Sequence, residues 1–381
     1  MALRYWLQLS LTEGVGPILS RRLVDAAGGA EAACQASIQL LNSVDGVGAA
    51  KARAIADALR AAATQVDREL ERASSRNINL ICPDDEIYPA LLRSIPDPPT
   101  VLYTRGVFEP RDLNAVAIVG SRRCSMYGRE QAERFGSLLA GAGITVVSGG
   151  ARGIDSAAHR GALAHPQGRT IAVLGSGLDM LYPPENGPLF EQIAQRGVVI
   201  SEFPFGTPPN KENFPRRNRL VSGLSRGVLV VEADDKSGAL ITARQAGDDH
   251  GRPVFALPGR VDNPLSSGPH QLIRDGATLV ANLEHLLDGL GPLPADTVGP
   301  MLFTDTAHES VPAAAPPVPS FDGVSDRQRA ILSHLGIDPT NVDALVESTA
   351  LPAHVVLQEL TFLTLKGHAR RIDGQSFTRR A

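Results

Sequence analysis

Apolar positions change their spacing twice along the chain. Through residues 1–76 they recur every three or four positions, which predicts a series of short helices. Two segments there share one form, GVGPILSRRLVDAAGG and SVDGVGAAKARAIADAL: a Gly-rich turn, then an amphipathic run. That form, apolar-x-Gly-apolar-Gly and then helix, is the helix-hairpin-helix pattern. Its glycines permit close backbone approach, and its helix N-termini can face a phosphate. A small helical domain whose tight turns simply need glycine fits equally well, since only Lys51 and Arg53 supply positive charge beside the second turn. A long polar helix then reaches about Arg76.

From residue 78 the pattern becomes that of strands. INLIC and TVLYT are strand-like, with the helical YPALLRSI between them. After Asn114, near-continuous apolar runs alternate with amphipathic helices. The runs are AVAIVG (115–120), ITVVSG (144–149), TIAVLG (170–175), GVVIS (197–201), GVLVVEA (227–233), PVFAL (253–257) and ATLVA (277–281). Such runs predict parallel strands covered on both faces. The expected fold class is α/β, a Rossmann-like, doubly wound, mostly parallel sheet over 77–288, preceded by a helical domain (SAM or helix-hairpin-helix-like) at 1–76. Residues 289–322 are Pro/Ala-rich and aperiodic, a linker pattern. From Ser325 three helices follow, SDRQRAILSHL, VDALVESTAL and AHVVLQELTFLTLKG. HARRIDGQSFTRR then reads as two strands around an Asp373-Gly374 turn, which together predict a winged helix over 323–381.

Composition narrows the function. With 381 residues and 43% hydrophobic content the chain can bury a large core. A net charge of −4 excludes a broadly basic surface, so any nucleic-acid interface must be a local patch. Cys34, Cys82 and Cys124 are far apart with no CxxC spacing, which predicts reduced thiols and neither a disulfide framework nor a metal site. The N-terminal apolar run is interrupted too early for a signal peptide, and no run reaches the ~18 residues of a membrane span, so a cytoplasmic location is expected. No catalytic or cofactor signature appears: VGSRRCSMYG is not GxGxxG, and P-loop, HExxH and GxSxG motifs are absent. His159 reads as helix surface or core. The expectation is a binding protein without cofactor, and not an enzyme.

Ligands of open α/β sheets sit beyond the carboxyl ends of the strands. Three such ends are unusual. After the first of the seven runs, Gly120, Ser121, Arg122 and Arg123 offer amides and guanidiniums for a phosphate. After the second, Gly149, Gly150 and Gly153 allow close approach, and Asp155 or Ser156 can cap the next helix. In NKENFPRRNRLVSGLSR, five cations (Lys211, Arg216, Arg217, Arg219 and Arg226) stand against Glu212 alone, with Phe214 among them. Phosphate neutralisation plus a base stacked on an aromatic holds single strands without sequence preference. The competing reading has Phe214 stapling a helix start into the core, with the arginines solvated.

These segments combine in a recognisable order. DDEIYPALLRSIPDPPTVLYTRG, AVAIVGSRRCSMYGRE, VVSGGARGIDSAAHRGAL, TIAVLGSGLDMLYPPEN, the stretch from ISEFPFGTPPNKENFPRRNR to ALITARQA, and PVFALPGRVDNPLSSGPHQLIRDGA cover about residues 78–285. Together they resemble the DNA-processing protein A (DprA/Smf) family. The resemblance implies a protein that binds and protects single-stranded DNA during natural transformation, loads RecA onto it, and dimerises through the Rossmann-like domain. It implies a DNA pocket made by Gly120, Ser121 and Arg122, by Gly149 and Gly150, and by Lys211, Phe214, Arg217, Asn218 and Arg219. The winged helix is variable in the family, which leaves duplex DNA or a protein as its partner.

Two other functions fit parts of the sequence. A nucleotide-processing phosphoribohydrolase of the LOG group has a similar core, but its PGGxGTxxE motif is absent, and Glu232 or Asp155 would have to supply the carboxylate. A transcription regulator would use the winged helix. The tail carries Lys366, Arg370, Arg371, Arg379 and Arg380 against Asp373, which suits duplex phosphates. Its PAHVVLQELTFLTLKG helix is largely apolar, however, with few side chains able to read bases. Protein contact or nonspecific duplex binding suits that module better.

Overall fold

The computed structural model describes residues 2–293, 325–335, 340–349, 351–365, 368–371 and 376–379. Most of the Pro/Ala-rich stretch, Lys366, the Asp373-Gly374 turn and Arg380 lie outside the described residues. Contacts divide the chain into two units, residues 1–304 and 305–381.

The first unit is built on a nine-stranded sheet. Its strands are β1 (Asn79–Ile81), β2 (Leu102–Gly106), β3 (Ala115–Val119), β4 (Thr145–Ser148), β5 (Thr170–Val173), β6 (Val198–Ser201), β7 (Gly227–Val230), β8 (Val254–Ala256) and β9 (Thr278–Leu279). The order is β1-β2-β6-β5-β4-β3-β7-β8-β9. Pairing is parallel from β6 across to β9, whereas β2 runs antiparallel to β6 and β1 antiparallel to β2. The seven apolar runs all form strands, and β3 to β7 are covered on both faces. In β3, Ala115, Ala117 and Val119 pack on one side with Leu220 and Val221, while Val116 and Ile118 pack on the other with Phe135 and Leu139. From β3 the chain winds outward through β4 and β5 to β6, then returns to the opposite side of β3 as β7. Connections beyond the carboxyl ends of β3 and β7 therefore diverge, and a crevice opens at that switch point.

The six N-terminal helices lie within the same unit. Both Gly-rich turns have one geometry: Gly14 and Gly46 sit at φ 76° and 81°, and Gly16 and Gly48, both at φ −86°, cap helices Pro17–Ala27 and Ala49–Ala63. Trp6, Leu9 and Val66 share one apolar cluster with Tyr103, Phe190 and Phe205 of the sheet region. Buried Glu69 fastens the two, accepting the Tyr103 hydroxyl at 3.0 Å and the Phe205 amide at 2.8 Å.

The second unit carries helices Asp326–His334, Val342–Thr349 and Ala353–Leu365, with strands β10 (Thr340–Asn341), β11 (Ala369–Arg371) and β12 (Ser376–Arg379) in the antiparallel order β10-β12-β11. Ile331, Leu345, Leu360 and Phe377 form its own core. Ser325 caps the first helix by accepting from the Gln328 amide at 3.3 Å. Among the described residues no helix is long and apolar enough to cross a membrane. The three cysteines are free thiols.

Candidate nucleic-acid interface

The interface begins with loops that nest because small residues meet backbone. After β3 the chain turns through Gly120–Arg123. Ser121 donates its amide to Glu232 O at 2.7 Å and accepts the Ile154 amide on its own carbonyl at 3.2 Å, and its hydroxyl oxygen accepts from the Arg123 amide at 3.1 Å. Gly153 approaches this loop at φ 75°, where a Cβ would stand 2.3 Å from Ser121 O. A Cβ on Gly120 would meet Glu232 O at 2.7 Å. Ser125 then caps helix Met126–Gly141. Glu232 accepts the Ser125 amide at 2.8 Å, the Ser125 hydroxyl at 2.6 Å and the Asn263 side-chain amide at 3.3 Å. It is buried and committed to holding three loops together.

Beyond these loops lies a cleft of about 680 Å³ at the switch point. Gly120, Ser121 and Arg122 line one wall and Gly149 the floor; Lys211, Phe214, Arg217 and Asn218 come from the start of helix Asn213–Gly223. Eight of the ten residues anticipated for a pocket thus converge. Gly150 lies beneath the surface, where its φ of 66° makes the turn and a Cβ would strike the Phe190 ring at 2.6 Å. Arg219 is elsewhere. Its guanidinium is buried against Asp97 at 2.9 Å and Glu202 at 2.5 Å. Residues two apart on a helix point about 200° apart, so Arg217 and Arg219 cannot share a face. Arg219 holds the helix to the protein and does not reach the cleft.

Phe214 is half-buried. A Cβ on Gly175 would meet its ring at 3.0 Å, so the ring lies close over that glycine. The Tyr182 ring is 6.0 Å away, and the Arg122 guanidinium sits 4.6 Å from its centroid. The ring is therefore neither deep core nor free. Arg217 is buried and donates to the Gly149 and Val173 carbonyls. Burial brings its pKa down to about 10, opposed by Asp155, so it stays charged at neutral pH. Burial pushes the Asp155 carboxyl up, and Arg217 opposes that shift. Asp155 and Asp234 also line the cleft, but among the described residues the Arg122, Arg123, Lys211 and Lys236 side chains there form no ion pair within 4.0 Å. Their charge is available to an anion.

A family model described as DNA recombination-mediator protein A matches residues 79–291, and one described as DprA winged helix domain matches residues 311–375. The chain belongs to the DNA recombination-mediator protein A (DprA/Smf) family. At that level its role is DNA processing. It is 37% identical over 401 residues to Protein Smf of Synechocystis sp., covering 99% of this chain and 98% of that one. It is 44% identical over 203 residues to the DNA processing protein DprA of Streptococcus pneumoniae, covering 53% of this chain and 71% of that one. The X-ray structure of DprA from Streptococcus pneumoniae superposes with a TM-score of 0.65 at 32% identity, covering 76% of this chain and 98% of that chain.

Within this DprA/Smf chain, sequence reasoning reached Arg123 in the phosphate-binding turn but missed the lining residues that follow β7, Lys236 and Ser237 among them. Lys236 follows Asp234 and Asp235, so its segment sums to an acidic stretch. Only the adjacency of β7 to β3 brings it to the cleft, and strand order is not written in the local pattern. His159 is core: fully buried, it stands 2.7 Å from the Thr170 hydroxyl and burial pushes its pKa down to about 3. It is neutral and is not among the residues that line the cleft.

Proposed function

We propose that the switch-point cleft binds single-stranded DNA, and that the protein thereby protects incoming strands and loads RecA onto them in natural transformation. Phe214 carries this reading: a half-buried ring in a cleft where the Arg122, Lys211 and Lys236 side chains form no ion pair among the described residues. Phosphates neutralised by Arg122, Lys211 and Lys236 fix the strand, while a base stacks on the ring. At 4.6 Å the Arg122 guanidinium leaves no room for a base, so stacking displaces it from the ring toward a phosphate. Arg217, turned inward, shapes the floor. Of the two carboxylates a catalytic reading would need, Glu232 is held by Ser125 and Asn263 and is not among the cleft-lining residues, whereas Asp155 lines the cleft but is buried beside Arg217 and accepts the Ala151 amide. A homodimer through the sheet unit, a cytoplasmic location, and duplex DNA or a protein at the winged helix complete the proposal.

The test compares single-stranded and duplex oligonucleotides on the full-length protein. The expected result is tighter single-strand binding, weakly dependent on sequence. Tighter duplex binding, or release of free base from nucleoside monophosphates, would overturn the reading.

A further inference from the structure

The cleft wall leads into an unusual helix start. Arg123 lines the cleft, and the same segment then turns Met126 and Tyr127 outward, 65% and 44% exposed. Among the described residues, Tyr127 is the most exposed Phe, Tyr or Trp side chain of the first unit. It is not loose, because its hydroxyl donates to the Pro258 carbonyl at 3.2 Å. The loop beginning at Pro258 carries Val261, 94% exposed, and runs on to Leu265, which lines the cleft. Arg123, four positions before the tyrosine, forms no ion pair within 4.0 Å among the described residues.

A single exposed apolar side chain needs no explanation. A fixed, exposed aromatic ring a few residues along the chain from a cleft-lining cation without an ion pair, continuous with a cleft that also joins cations to an aromatic, does. Fixing the ring in advance removes the rotamer entropy that a stacking partner would otherwise have to overcome.

We infer that Tyr127 is a second base-stacking platform, so that a single strand leaving the Phe214 cleft passes Arg123 and continues over the first turn of helix Met126–Gly141. The inference rests on the proposed cleft and extends it. Arg123 neutralises the phosphates on the cleft side of the stacked base, and Met126 and Val261 border it. Burial and the nearby Glu232 carboxylate push the Tyr127 hydroxyl upward, which keeps the ring neutral beside those phosphates.

Oligothymidylates of about 4 and about 12 nucleotides, within the span of single-strand site sizes, separate the two platforms. On full-length protein, Tyr127→Ala should weaken the longer strand on the order of 10-fold and leave the shorter nearly unchanged. Tyr127→Phe, which keeps the ring but loses its tie to Pro258, should weaken the longer strand less than Tyr127→Ala does and leave the shorter unchanged. Phe214→Ala should weaken both. Irradiating the parent protein with a 5-iodouracil-substituted long strand should give a cross-link at Tyr127, a readout that needs no substitution. If Phe214→Ala weakens both lengths while Tyr127→Ala weakens neither and no cross-link forms there, the second platform is overturned alone. If Phe214→Ala changes neither length, the cleft reading falls and this inference falls with it.

Discussion

Arg217 and His159 show how burial separates holding a site from touching its ligand. Arg217 reads in sequence like any cation of the PRRNR run, yet it is buried with its donors on the Gly149 and Val173 carbonyls and its charge facing Asp155. Arg217→Ala leaves Asp155 and two carbonyls without their partner, and should cost about 3–5 kcal/mol of stability, read from the urea midpoint. Unchanged stability with weakened DNA binding would instead make Arg217 a phosphate contact. At His159, Thr170 gives its hydroxyl proton to Val146 O, so the ring donates from Nδ1, and Nε2 has no partner. Protonation would bury an unpaired charge. With the folded pKa near 3 and the unfolded value near 6.5, this contribution is complete above about pH 6.5 and is lost as pH falls toward 3. Between pH 7 and 5 the parent should lose about 2 kcal/mol more stability than His159→Gln. Parallel losses in the two proteins would contradict the assignment.

At the scale of elements, the parallel strands were legible because burial on both faces forces an unbroken apolar run. β3 to β6 match their predicted segments to within two residues at either end, and β7 to within three. β9 shrinks to Thr278–Leu279, both exposed, because an edge strand has only one neighbour to define it. The glycine turns were legible as turns. Their tightness was not, because it depends on which loop lies opposite. Gly153→Ala tests that: with φ at 75° and a Cβ 2.3 Å from Ser121 O, alanine adds about 1–2 kcal/mol of backbone strain before the clash is counted. The melting midpoint should fall by several degrees, and single-strand affinity should fall as the Gly120–Arg123 loop is pushed outward. Unaltered affinity at reduced stability would separate that loop from DNA binding. Arg219 marks the limit of local reading. The density of cations flagged the helix, but only its rotation in the fold decides which of them face the cleft.

At the scale of the whole molecule, residues 1–293 hold the complete cleft, and residues 325–379 hold a separate core around Ile331, Leu345 and Phe377. A fragment ending at residue 293 should melt cooperatively and keep most of the single-strand affinity, while duplex or partner binding through the winged helix falls. Loss of single-strand binding by a folded fragment would move the primary site to the winged helix. The central claim, that the Phe214 cleft is the single-strand site, meets its most direct test in titrations of parent, Phe214→Ala and Lys211→Ala across a range of salt concentrations. Phe214→Ala should lose about 1–3 kcal/mol of binding with its log–log salt slope unchanged, while Lys211→Ala should flatten that slope by about 0.7. Parental affinities and slopes in both variants would contradict the account.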